Sequence, residues 1–178
     1  MDDTIALTPP EPCYLSKTSI RDRSQTLGRI LGLSAASDLY EVVERLGGKI
    51  QRLDDMHSTD MASITVATRT TSHEPFFTIT LLPSVLPAKE RWSIAHELGH
   101  LFLHSQYGHI PIKANHSASD YNELVEAEAT LFASHLLMPD DAVEKVMHSI
   151  GRDSVALAAH FGVPESVAWQ RMQKFQQK

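Results

Sequence analysis

His96-Glu97-Leu98-Gly99-His100 constrains this chain more than any other stretch of it. On a helix, residues four apart differ by about 40° and one turn, so the two imidazoles project side by side and can grip one ion. With His96 set at 0°, Ile94, Leu98, Leu101 and Phe102 fall at roughly 140–240°, which makes an apolar stripe on the other side of the same helix. One side must rest on a core while the opposite side stays available to a ligand. Two imidazoles alone under-coordinate a zinc ion, because catalytic sites use three protein ligands and keep a fourth position for water. A third donor has to come from elsewhere in the chain.

Glu126 and Glu128 lie in the stretch Asp120 to Met138, which is apolar on almost every face and reads as a buried helix. An unpaired carboxylate there is costly. The two point about 200° apart, so one ion cannot use both. Glu126 shares its face with Thr130, Ala133 and Leu137 and has Ala129 at its edge. Small residues let another helix approach closely, and Gly99, otherwise unfavourable in a helix interior, is the matching relief on the first helix. This favours Glu126 as the third ligand, with Glu128 a structural residue or a support for a ligand. His104 continues the histidine spacing, but it stands about 12 Å along the axis from His96 and reads as a helix-end cap or cleft residue. His135 reads as a hydrogen-bonded core residue. Glu97, beside the histidine pair and off the apolar stripe, is the candidate general base.

The 178 residues suit one globular unit. With 42% apolar and 21% charged residues the chain can bury a core, which excludes disordered and fibrous classes. Sixteen Lys and Arg against 22 Asp and Glu give a net charge of −6. Nucleic-acid phosphates therefore have no general electrostatic reason to bind, and direct nucleic-acid binding is not expected. The single cysteine, Cys13, can form no internal disulfide and no thiolate cage. The acidic opening residues lack the pattern of a signal peptide, and no apolar run approaches the roughly 20 residues of a membrane span. A cytoplasmic protein is expected.

The pattern along the chain predicts an α+β fold. Residues 1–18, with Pro9, Pro10 and Pro12, read as a flexible tail. Residues 19–139 read as the body and 140–178 as a helical C-terminal segment. Helices are expected from Ser19 to Leu33 and from Asp38 to Leu46, then strands over Lys49 to Leu53, Ser63 to Thr68 and Phe76 to Leu82, two of them as a hairpin. The histidine helix should run from Ala88 to His104. The stretch Ser105 to Ser119 reads as a loop that could close over a ligand. Beyond Pro139, Asp140 is placed to cap a helix ending near Ile150. Two more helices, Asp153 to His160 and Pro164 to Gln176, flank the turn Phe161-Gly162-Val163.

The run Arg91-Trp92-Ser93-Ile94-Ala95-His96-Glu97-Leu98-Gly99-His100-Leu101-Phe102-Leu103-His104, the segment Glu126-Ala127-Glu128-Ala129-Thr130-Leu131-Phe132-Ala133 and the sequel Leu136-Leu137-Met138-Pro139 together resemble the ImmA/IrrE family of zinc metallopeptidases. The resemblance extends over about Asp38 to Met172. It implies a thermolysin-like zincin core, Zn2+ held by His96, His100 and Glu126, Glu97 as the catalytic base, and a protein substrate, namely a repressor of the helix-turn-helix type. Cleavage would release phage, mobile-element or stress genes. It further implies a helix-turn-helix-like C-terminal segment around Leu157 to Pro164. Thr130 departs from the family's Asn or Asp at that position, where a side chain supports a ligand histidine. His104, Tyr107, His116, Tyr121 and His135 are candidates to stabilise an oxyanion, and the strand Phe76 to Leu82 is a candidate edge for an extended substrate segment. Two other settings fit the same residues: a toxin-antitoxin or phage-defence pair, and a regulatory module with structural zinc whose C-terminal helices bind a protein or DNA.

Overall fold

The computed structural model describes residues 6–53, 62–69, 75–82, 86–115 and 121–175. Among these are seven α-helices and one four-stranded sheet, an α+β architecture. Helix α1 (Lys17–Leu31) starts earlier than its apolar spacing suggests, because the Ser16 hydroxyl accepts the Ser19 N–H. It stops at Gly32, whose φ of 67° lets Leu33 N–H return to the Gly28 carbonyl. Helix α2 (Leu39–Arg45) is capped by the Asp38 carboxylate.

Strands β1 (Gly48–Arg52), β2 (Ala62–Val66), β3 (Phe77–Leu81) and β4 (Ile112–Ala114) order as β1-β3-β2-β4. β3 runs parallel to β1 and antiparallel to β2, and β2 is antiparallel to β4. Alternate residues of β2 and β3, among them Ile64, Val66, Phe77, Ile79 and Leu81, turn into the core. Two expectations fail here. The segment Phe76 to Leu82 is an interior strand with both edges paired, so it cannot accept a substrate strand. The expected loop after His104 contains β4, which at three residues is too short to stand out by alternation.

The N-terminal segment is docked over its described part. The Lys113 N–H donates to the Thr8 carbonyl along the outer side of β4 (2.9 Å), and the N–H groups of Cys13 and Tyr14 donate to Glu128. No local pattern foretells these contacts, since their partners lie more than 100 residues away.

Helix α3 (Pro87–Gly99) begins with proline at its first turn, where no backbone donor is wanted. It does not continue to His104 as an α-helix. The ladder widens into a π-helical turn, His100–His104, closed by the Ser105 N–H on the His100 carbonyl at 3.0 Å. The chain then reverses through Gln106, Tyr107 and Gly108, all at positive φ. Helix α4 (Glu123–Leu137) is capped by the Asn122 side chain and ends before Pro139.

Three helices follow: α5 (Asp140–Ile150), α6 (Ser154–Phe161) and α7 (Glu165–Gln173). Asp153 caps α6 through the N–H groups of Val155 and Ala156. Asp140 does not cap α5. It is the first helical residue, and its carboxylate is drawn to the buried Arg171, which also donates twice to the Met138 carbonyl at the end of α4. Leu157, Phe161, Val163, Ala168 and Met172 join the same core as the sheet and α3, so the C-terminal helices are packed into the body.

The contact that positions the site is α3 on α4. A Cβ added at Gly99 would stand 2.9 Å from Ala129 Cα and 3.0 Å from its carbonyl oxygen, both backbone atoms. Gly99→Ala should therefore destabilise the fold by about 1–3 kcal/mol through overpacking, against at most about 1 kcal/mol of helix propensity regained. Denaturant unfolding measures this. Stability equal to wild type would mean that the helices separate freely.

Candidate metal centre

His96 in α3 and His100 at the start of the π-helical turn project to the same side, and both are at least nine-tenths buried. Their Nε2 atoms are 3.2 Å apart. Glu126, from the first turn of α4, brings one carboxylate oxygen to 3.0 Å from His96 Nε2 and the other to 3.6 Å from His100 Nε2. Zinc–nitrogen and zinc–oxygen bonds of 2.0–2.2 Å at tetrahedral angles require donor atoms about 3.3 Å apart. The three separations bracket that value, and two imidazoles with one carboxylate are a donor set suited to zinc. Glu97 is fully buried on the same helix, one residue from His96.

The structure thus brings Glu126, rather than Glu128, to the histidine pair. Glu128 points to another destination. Its Oε2 lies 3.0 Å from His104 Nε2 and 2.8 Å from the Cys13 nitrogen, and its Oε1 lies 3.0 Å from the Tyr14 nitrogen. His104 Nδ1 is 3.0 Å from His100 Nδ1. His104 is therefore an interior link at the wall of a cavity it shares with Cys13 and Phe102, not a helix cap, and burial lowers its pKa in spite of the carboxylate beside it. Cys13, His104 and Glu128 form a second group of donor atoms within 4.8 Å. The Cys13 thiol is pushed up by burial, although backbone hydrogen bonds pull the other way, and Glu128 adds to the rise. Thr130 Oγ1 lies 3.4 Å from His96 Nδ1, so its hydroxyl reaches the imidazole nitrogen turned away from Glu126.

Two histidines on one helix and a glutamate from the helix packed against it make the donor set of the metallopeptidase class that uses His and Glu ligands. Residues 44–173 match the Peptidase_M78 family, the IrrE N-terminal-like domain, and the chain belongs to this ImmA/IrrE family of metallopeptidases. Metallopeptidase ImmA of Bacillus subtilis (strain 168) is 34% identical over 79 residues, which are 44% of this chain and 46% of that protein. The solved structure of a Mycobacterium tuberculosis transcriptional regulator shares the fold at a TM-score of 0.60 and 16% identity, over 84% of this chain and 45% of that one. Each match spans less than half of the relative's length.

Of the residues considered for an oxyanion, several are engaged elsewhere. The Tyr107 hydroxyl donates to the Leu46 carbonyl at 2.9 Å, and its ring stacks on Phe102. His104 is occupied by His100 and Glu128. Tyr121 is exposed just before α4, and His116 lies outside the described residues. His135 sits nine residues beyond Glu126 on α4, about 13 Å along the axis, and packs against Gln25 and Asp140.

No helix among the described residues is long and apolar enough to cross a membrane. The His135 cluster has a consequence of its own. Burial, with Arg171, Lys174 and Arg21 nearby and only Asp140 opposing them, lowers the His135 pKa to about 4. The unfolded chain, with an ordinary histidine, takes up this proton as pH falls below about 6.5. Stability is thus fully retained above pH 6.5 and declines as pH drops toward 4, by up to about 3 kcal/mol. Urea midpoints at pH 7 and pH 4.5 should fall further for wild type than for His135→Gln. Equal losses would assign the acid sensitivity to other groups.

Proposed function

We propose that the chain is a zinc-dependent endopeptidase that cleaves a protein substrate, a transcriptional repressor of the helix-turn-helix type, in the cytoplasm. The observation that carries the reading is the convergence of His96 Nε2, His100 Nε2 and the Glu126 carboxylate at 3.0–3.6 Å beside a buried Glu97. In this reading α3 and α4 form a thermolysin-like active-site core, and α6 with α7 is a helix-turn-helix-like support. The family supports hydrolase chemistry. The repressor substrate is suggested by the family resemblance that the HExxH run and its paired glutamate segment carry.

Zinc in such a site supplies a Lewis acid that polarises a carbonyl and brings water to a pKa near 7. The chain's own residues do the rest. His96 and His100 present neutral nitrogen lone pairs, and Glu126 adds the one negative charge. Glu97 takes a proton from the attacking water and returns it to the amine nitrogen as the peptide C–N bond breaks. Its separation from the ligand set means that ligation and proton transfer reside on different side chains.

Glu97→Gln should keep zinc at wild-type stoichiometry while losing peptide hydrolysis by at least about 100-fold, the usual contribution of a general base. Full activity in that variant removes Glu97 from the mechanism. Glu126→Ala should lower zinc content, measured by elemental analysis, more than Glu128→Ala does; a reversed order transfers the ligand role to Glu128. The substrate is tested by incubating the zinc-loaded protein with a helix-turn-helix repressor encoded beside it and mapping the products by mass spectrometry. An intact repressor under conditions where other proteins are cut would reject that substrate.

A further inference from the structure

We propose that Glu128 and His104 form a hydrogen-bonded relay that orients His100 toward its metal, and that the N-terminal segment fixes the far end of that relay. The proposal rests on the ligand role of His100 Nε2 given above.

The two Nδ1 atoms of His100 and His104 face each other at 3.0 Å in the interior. A hydrogen bond between two imidazole nitrogens needs one proton, carried by one of them. A neutral His100 that gives its Nε2 lone pair to a cation keeps its proton on Nδ1. It therefore donates, and His104 Nδ1 accepts. The proton of His104 is then on Nε2, which donates to Glu128 Oε2 at 3.0 Å. The metal end fixes the tautomer at every link.

At the other end Glu128 is held as an acceptor on both oxygens by the consecutive N–H groups of Cys13 and Tyr14. The left-handed backbone at Tyr14, φ 53°, belongs to the turn that presents them. His104 stands one turn on from His100 within the π-helical stretch, with ring centroids 5.0 Å apart. Metal-binding histidines commonly donate their outer N–H to a carboxylate, which fixes ring orientation and raises basicity. Here the carboxylate acts through one further imidazole. On His96 the corresponding nitrogen, Nδ1, meets the Thr130 hydroxyl at 3.4 Å. His104 and Glu128 are thus positioning residues for one ligand in particular.

The test is zinc affinity, read by competition with a chromophoric chelator, together with the visible absorption of the Co2+-substituted protein. His104→Phe keeps a ring but has neither donor nor acceptor; it should weaken zinc binding by roughly 10–100-fold and shift the cobalt bands. His104→Gln carries an acceptor and a donor on one amide and should restore affinity to within a few-fold of wild type. Wild-type affinity and an unchanged spectrum in His104→Phe would overturn the relay. If that variant does not fold, the zinc-loaded wild type decides through its imidazole 15N shifts. His104 as the neutral Nε2–H tautomer supports the relay, and an Nδ1–H tautomer or an imidazolium overturns it. The ligand reading is tested separately by His96→Ala and Glu126→Ala. Loss of zinc in these with no change in His104→Phe rejects the relay alone; zinc binding indifferent to His96→Ala rejects the reading beneath it.

Discussion

The approach of α3 to α4 at Gly99 sets the distance on which the site depends. A hydrogen atom in place of a side chain lets the backbone of one helix rest against Ala129 of the other. Only at that separation does a carboxylate from the first turn of α4 meet the imidazole of His96 on α3 and that of His100 just after it. The sheet and the remaining helices hold the pair in this register. Ile94 and Leu98 anchor α3 on the core, as Leu101 does the turn that follows, so the helix cannot roll without exposing them.

Two glutamates two residues apart on one helix serve different ends because a helix turns them to different sides. Glu126 faces the histidine pair. Glu128 faces inward and is surrounded by donors from His104 and from two backbone amides. A buried carboxylate is costly unless its oxygens are satisfied, and the N-terminal segment helps to satisfy them. The same segment lies along β4. Distant parts of the sequence therefore meet at the back of the candidate centre.

Much of this was legible in the residues. The i, i+4 histidine spacing and the apolar stripe opposite it depend only on helical period. The small residues around Glu126 and the glycine on α3 carry packing information in their side-chain volumes. What could not be read was non-local. Whether Phe77–Leu81 is an edge or an interior strand depends on β1 and β2, which lie elsewhere in the sequence. The docking of residues 6–16 depends on a glutamate more than 100 positions away. Asp140 looked like a helix cap because of its place before an apolar period, but Arg171 competes for its carboxylate from the last helix. Tyr107 and His135 looked available for chemistry only because their hydrogen-bond partners, Leu46 and the Gln25–Asp140 pair, were out of sight.

The π-helical turn fits one more residue into the helix than the regular ladder allows. Shortening this stretch by a single position would let the coil relax into ordinary α geometry, four residues then covering the turn that five now cover. The bulge is thus a place where the chain can hold one residue more while the segments on either side keep their register.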